Sequence, residues 1–541
     1  MNRYLKRIAA AVLASAMSLT AVSCTLRDHD EPIFPETSSK TDDTEKESKA
    51  SSDYETVSVD DINSHVKQLL SDIKKSGNTA AVEQDISTLM DDIDIASEAS
   101  TLAYIDYCLD FNDEKNEEKY DSLMLDFYIA YEAASYAFHR GYKSAEYSEL
   151  FSDLIIEENL EYYNSPAMSL KRLEGYAEVD YSISDELTDE YYDIYFDDDM
   201  EDDEKSLKCA ELYLDILSTY SPDTFYENYS RDYSPEDIIA LSSSIREKIT
   251  PLYDDVVDKF YDDPHCEDIF SDPVLYDDLF GTVKEYAHRL STDIAASADD
   301  LADNERYQVG KGLRSYDVSF TSSLPKTGGS MIYLYKGKSL YDLTTAIHEF
   351  GHFHAAGYDD TSTYDAVANE DVAEIQSQGM ELLFLQFYDD IYGEQSNAMK
   401  LYTIQNMLTT IESSFLVGEF EYTVLRDRDD LTPELVVERY NDIMGEYAEG
   451  YPLYYIDHIY SAPGYYISYG VSALAAMELF GDCVNDPAAA LERYERIARV
   501  KSNDPDTGFR SALAECGFSD VLSAEYIDAL AEQVHSYLDG I

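Results

Sequence analysis

Positive charge is scarce in this sequence: 39 Lys and Arg stand against 111 Asp and Glu, a formal net charge of −72 over 541 residues. Nucleic acid is excluded as a partner class, because phosphate binding needs Lys and Arg to displace counterions and this surface repels the backbone. Cysteine is sparse too. Beyond Cys24 there are only Cys108, Cys209, Cys266, Cys483 and Cys516, an odd and widely scattered set. Such spacing indicates neither a disulfide framework nor a cysteine-based zinc site. After the first residues no segment approaches twenty uninterrupted apolar positions, so no further membrane span is expected. A repeat of fixed period is also missing. What is plentiful is core: 44% of the residues are hydrophobic, enough at this length for one large domain or two ordinary ones. The acidic excess reads as a solubilising surface for an exposed environment.

The amino-terminal residues point to export. Arg3, Lys6 and Arg7 precede an apolar, Ala-rich run from Ile8 to Val22 that closes on small residues, the pattern of a signal peptide over 1–23. Ala21-Val22-Ser23-Cys24 resembles a bacterial lipobox, with Ala21 where leucine is usual. That resemblance implies an acylated Cys24 as the mature terminus, held in the lipid bilayer of a bacterial envelope by its acyl chains. A freely secreted product and a plain membrane anchor are the alternatives. Residues 24–58 then form a polar, charged stretch nearly free of aliphatics, expected to be a disordered tether.

From residue 59 the apolar residues recur at three- and four-residue spacing, as in "INSHVKQLLSDIKK" and "SLMLDFYIAYEAASYAFHRGY". Turn signals at Asn164-Ser165-Pro166 and Ser221-Pro222 break the pattern, and residues 59–165 are read as an amino-terminal helical region. One interruption is not helical: Val318 to Thr321 and Met331 to Tyr335 read as short strands joined through Pro325 and Gly328-Gly329. The fold class is mainly α, with a small β-sheet running into the helix that carries "HEFGH".

That helix, with Ser339 and Asp342 as a capping box and Gly357 as its stop, is expected to bury Leu343, Ala346, Ile347 and Phe350 as one stripe. His348 and His352 then lie one turn apart on a common face, where two imidazoles can bind one Zn²⁺. Glu349 points beside such a metal, the place of a general base acting on its water. The next helix, capped by Asn369, carries Glu374 and Glu381 seven apart and therefore on one face.

"HEFGH" followed by "DVAEIQSQGMELLF" resembles the oligoendopeptidase F and thimet oligopeptidase family of zinc metallopeptidases, and the likeness extends over about residues 165–541. The resemblance implies a catalytic domain over 166–541, a helical fold enclosing a substrate channel, and zinc-dependent endopeptidase activity on oligopeptides. It makes His348, His352 and Glu374 the zinc ligands and Glu349 the base, with Glu381 a supporting acid. The family's late His and Tyr cluster corresponds to "DHIYSAPGYYISYG". Within it His458 and one of Tyr465, Tyr466 and Tyr469 would donate to the tetrahedral intermediate. The sequence departs from the family in placing His354 six positions after His348 instead of seven, and in the spacing from His458 to the tyrosines. The strand Met331 to Tyr335 is expected to receive an extended substrate. Two other functions fit parts of the sequence: a non-catalytic peptide-binding surface lipoprotein, and a zinc amidase acting on cell-wall fragments.

Overall fold

The periodic segments between residues 59 and 142 become three long helices: α1 (Val59–Asp72), α2 (Thr79–Leu109) and α3 (Glu114–Tyr142). A computed structural model describes residues 54–540 apart from 156–158, 166–189, 198–199, 227–228, 272–277, 338, 368 and 446. The signal peptide, Cys24, the tether up to residue 53 and the turn at Pro166 lie outside the described residues. Two of the three helices start on side-chain caps, Ser58 accepting from the Asp61 amide and Asp113 from that of Lys115. Each cap satisfies an amide that has no partner inside the helix. The three helices pack on one another around a cluster that includes Leu69, Ile93, Phe127 and Phe138. Tyr364, from a loop more than 200 positions on, completes it, its hydroxyl accepting from Ser135 at 3.1 Å and its carbonyl from Tyr131 at 3.2 Å.

Glu132, on α3, is buried in this cluster, with Tyr163 donating to one carboxylate oxygen at 3.1 Å and no partner for the other. Burial pushes its carboxyl up to about 8 from an ordinary 4.5. The folded chain therefore keeps a proton that the unfolded chain gives up, so this group's contribution is full below about pH 4.5 and is lost as pH rises towards 8, by roughly 1.4 kcal/mol per unit. Thermal melts should show the wild type losing stability between pH 5 and 8 relative to Glu132→Gln, which is neutral throughout; parallel curves would mean that Glu132 ionises normally.

The larger core is built by the remaining helices. The ones that position the site are α4 (Thr292–Asp303), α5 (Tyr341–Ala356), α6 (Glu370–Phe384), α7 (Ser396–Asp427), α8 (Ile467–Asn485) and α9 (Pro487–Ile497). α6 is buried along its whole length, between α5 on one side and α8 and α9 on the other. α8 is long and apolar enough to cross a membrane, but 78% of its most apolar stretch is buried inside the protein, packed on α6 and α7. It is a core helix.

The sheet has three strands where the sequence suggested two. β1 (Tyr307–Gly310) runs parallel to β3 (Ser330–Tyr335), and β2 (Phe320–Ser323) runs antiparallel to β3 on its other side, in the order β1-β3-β2. β2 begins two residues later than expected. "YQVG" is too short to show alternation, which is why β1 was missed. The consequence concerns substrate: β3 is hydrogen-bonded on both sides and has no free edge, so it cannot take an added strand. β2 is an edge strand.

Candidate metal centre and its surroundings

α5 starts one residue later than the capping box implied. Ser339 caps no helix amide; its hydroxyl donates to Asp342 at 3.3 Å, and Asp342 reaches back to accept the amides of Gly337 and Ser339 at 3.1 and 3.3 Å. Leu343, Ala346, Ile347 and Phe350 form the buried stripe that was read from the sequence, and Gly357 follows the last turn. The opposite face presents His348 and His352, ring centroids 5.0 Å apart.

Gly351 lies between them for a steric reason. A Cβ at this position would sit 2.7 Å from the carbonyl oxygen of Gln376 and from the Cα of Ser377, both backbone atoms of α6. Without a side chain at 351, α5 and α6 cross in contact. This closeness brings Glu374 under the two histidines: one carboxylate oxygen is 3.5 Å from His348 Nε2 and the other 3.8 Å from His352 Nε2. Ligand atoms of a tetrahedral zinc site are separated by about 3.3 Å, so the spacing suits a small divalent ion.

The polar bookkeeping agrees. His348 Nε2, His352 Nε2 and one oxygen of Glu374 are buried and have no hydrogen-bond partner, which native interiors rarely tolerate without an ion or water. The rest of each group is held in place. Ser377 donates to the second oxygen of Glu374 at 3.0 Å, and His348 Nδ1 is 2.7 Å from Glu381. Among the described residues these three are the one group whose ligand atoms lie close enough together to hold a metal. Two imidazoles and one carboxylate are the kind of three-ligand donor set found in catalytic rather than structural zinc sites.

The acids act unequally on the two imidazoles. Burial works against a charged His348, but the Glu381 hydrogen bond and the charges of Glu374, Glu381 and Glu349 outweigh it and raise the ring to about 9. His352, without such a partner, is driven well down by burial and by the charge of His348. Burial pushes Glu349 up to about 7 against the charge of His348 and a hydrogen bond from Thr321. Thr321 Oγ1, on β2, lies 2.8 Å from one Glu349 carboxylate oxygen and 3.0 Å from the Glu349 carbonyl. The other carboxylate oxygen of Glu349 is buried and has no partner. Thr321 was not singled out from the sequence: the strand was recognised, but nothing in four residues shows which one meets α5.

Glu381, 2.7 Å from Nδ1, fixes the orientation of the His348 ring. Removal of such a partner typically weakens a metal site 10- to 100-fold. Glu381→Gln is therefore expected to raise the dissociation constant for zinc by that order in a competition titration; an unchanged affinity would make the contact incidental.

His354 takes no part. It points to the other side of α5, buried against Tyr358 and Tyr494, with Ser297 of α4 at 2.8 Å from its Nδ1. Burial lowers it to about 4, so it packs as a neutral ring.

His458, Tyr465, Tyr466 and Tyr469 form a second group where the chain enters α8. Tyr465 stacks flat on His458 at 5.4 Å between centroids, Tyr466 and Tyr469 meet the imidazole edge-on at 5.7 and 6.0 Å, and His458 Nδ1 is 2.6 Å from Asp457. Tyr460 is not part of it; its ring stacks on Tyr191 at 4.4 Å and its hydroxyl donates to the Leu453 carbonyl at 3.2 Å.

What joins the two groups was not read from the sequence. Arg231 is fully buried and donates to both oxygens of Asp371, three residues before Glu374, at 3.1 to 3.3 Å. The same guanidinium donates to the Gly464 carbonyl at 2.6 Å and to Ser468 at 2.7 Å, on either side of Tyr465 and Tyr466 and next to Tyr469. Tyr226 and Tyr229 cover it at 4.4 and 4.5 Å, and Tyr233 donates to Asp371 at 2.7 Å. One cation thus fixes the segment after His458 to the helix that carries Glu374. A lone arginine between tyrosines has no periodicity to betray it.

The sequence matches no protein-family model and no curated protein. Its three-dimensional structure does have counterparts. It is similar to a solved oligoendopeptidase F structure (TM-score 0.70, 14% identity, covering 91% of this chain and 98% of that one) and to PZ peptidase A bound to an inhibitor (0.69, 14%, 91% and 99%). An oligoendopeptidase F structure from Bacillus anthracis is similar at a TM-score of 0.67, with 12% identity over 91% of this chain and 98% of that one. Nearly the whole length of those chains is matched, so this chain has the mainly helical oligoendopeptidase F fold.

Proposed function

We propose that the chain is a zinc-dependent endopeptidase that hydrolyses oligopeptides. The observation that carries this reading is the convergence of three unpartnered ligand atoms, on His348, His352 and Glu374, beside the buried and unpartnered carboxylate oxygen of Glu349. A purely binding protein has no use for that carboxylate. The peptidase names of the similar structures support the same reading.

His348, His352 and Glu374 would hold the zinc, and the chemistry it would supply there is Lewis acidity, which would acidify a water and polarise the scissile carbonyl. Glu349 takes the proton of the attacking water on its open oxygen and delivers it to the leaving amine, while Thr321 holds the other oxygen. His458, with one of Tyr465, Tyr466 and Tyr469, donates to the developing oxyanion, each such donor being worth roughly 3 to 4 kcal/mol where measured.

The substrate lies along β2. A cavity of about 540 Å³ runs from His352 past Thr321, Ser322 and Ser323, with Glu370, Ala373 and Gln376 of α6 among its other lining residues. An extended peptide can add to the edge of β2, main chain to main chain. Residues 1–23 would direct export and Cys24 would anchor the enzyme to the envelope, facing extracellular peptides.

The test is cleavage of a quenched oligopeptide set beside a stably folded protein and peptidoglycan fragments. Internal cleavage of the peptide alone is the expected result. Equal rates on the folded protein would argue against an enclosed site, and activity confined to peptidoglycan would point to an amidase.

A further inference from the structure

Among the described residues, four carboxylates line the cavity beside His352, those of Asp94, Asp359, Asp360 and Glu370, and no Lys or Arg does. Three are engaged by the protein. Asp94 accepts from Thr363 at 2.5 Å, Asp359 accepts the amides of Thr361 and Asn503 at 3.0 and 2.9 Å, and Asp360 pairs with Lys501. Cations near the rim are also committed, Lys326 to Asp91 and Arg306 to Asp300.

Glu370 is different. It is only 8% exposed and stands one helical turn before Glu374, and among the described residues nothing donates a hydrogen bond to it. The charges that act on it are the like charges of Glu374 and Asp371; burial first, and then these two, push its carboxyl up to about 8. Among the described residues it belongs to no group of ligand atoms able to hold a metal. A buried carboxylate without a partner is costly, and such groups are normally paired. The partner that the protein does not provide can enter through the cavity.

We propose that Glu370 binds a cationic group of the peptide substrate, either a Lys or Arg side chain close to the cut bond or the amino-terminal ammonium, so that the enzyme prefers basic peptides. This deepens, and rests on, the peptidase reading of the same site. Several observations meet here among the described residues: a cavity that begins at a candidate metal ligand, a wall that shows acids and no bases, and one nearly buried acid that no described cation pairs. The overall charge of −72 draws cationic peptides towards the protein from a distance but does not choose among them, because solvent ions screen it beyond about 8 Å. Selection requires a desolvated contact, which Glu370 can make.

The experiment uses the full chain loaded with zinc and matched quenched peptides. One series is acetylated and amidated, with Arg or norleucine at each position flanking the cut bond; another has norleucine throughout and a free amino terminus. A close ion pair out of water discriminates by at least about tenfold. The expected result is that kcat/KM for the best cationic peptide exceeds that of its neutral counterpart by that factor. In Glu370→Gln the ratio should fall to near one, and in Glu370→Lys it should invert in favour of a Glu-containing peptide. Arg at one position carrying the preference would identify a side chain as the ligand; the free amino terminus carrying it would identify the ammonium.

Ratios near one in the wild type, or a ratio unchanged in Glu370→Gln, would overturn the proposal. Dissociation constants measured by calorimetry on the Glu349→Gln chain give the same ratio without turnover. A protein that selects the Arg peptide through Glu370 yet cuts nothing would keep this proposal and sink the peptidase reading. One that cuts all peptides alike would do the reverse.

Discussion

Glu349→Gln is expected to lower peptide turnover by about 10²- to 10⁴-fold, the usual worth of a positioned general base, with zinc content close to one per chain. The amide keeps the size of the side chain and can still meet Thr321, which lies 2.8 Å from one carboxylate oxygen. What it removes is the capacity of the open oxygen to accept a proton. Zinc held by His348, His352 and Glu374 would not need this group, so metal and catalysis should separate. Single-turnover cleavage of a quenched peptide, with metal quantified on the same sample, reads both. A variant that retained more than a tenth of wild-type turnover would remove Glu349 from the role of base. A variant that lost its zinc would place Glu349 in the metal site instead.

The second large effect is on stability and geometry together. Arg231→Met should destabilise the protein by about 3–5 kcal/mol, the range seen when one member of a buried ion pair is removed and the other is left unpaired. Asp371 is 1% exposed and would keep only Tyr233 as a donor from this cluster, and the Gly464 carbonyl and Ser468 would each lose a donor. Pairing the change with Asp371→Leu removes the stranded charge and should recover most of the melting temperature. Turnover should not recover with it, because the segment bearing Tyr465, Tyr466 and Tyr469 is no longer tied to α6. A fall in kcat with little change in KM in the stable double variant is the signature of a positioning residue. Recovery of both stability and kcat would make Arg231 a purely structural element.

The two predictions differ in how far their residues could be found beforehand. Glu349, His348 and His352 were legible because chemistry and helical spacing coincide in five residues. Glu374 needed a family likeness, since an acidic helix offers Glu381 on the same face and spacing alone does not choose between them. The contacts have now separated their positions: Glu374 faces both imidazoles and Glu381 holds the far nitrogen of His348. Arg231 and Thr321 were not legible, because their partners lie 140 and 28 positions away and single polar contacts leave no periodic trace. Helix periodicity gave the architecture well, whereas four-residue strands carry too little pattern, so β1 was missed and the free edge was placed on β3 instead of β2. Gly351 shows the same limit from another side: its role in letting α5 and α6 touch is visible only when both helices are in place.

Metal content and cleavage measured on one sample bear most directly on the central claim. The purified chain should carry one zinc per molecule by mass spectrometry and cut quenched oligopeptides at internal bonds; a chelator should abolish the cleavage and added zinc restore it. Chelator-resistant cleavage, or a chain that cuts peptides while binding no metal at His348, His352 and Glu374, would contradict the account.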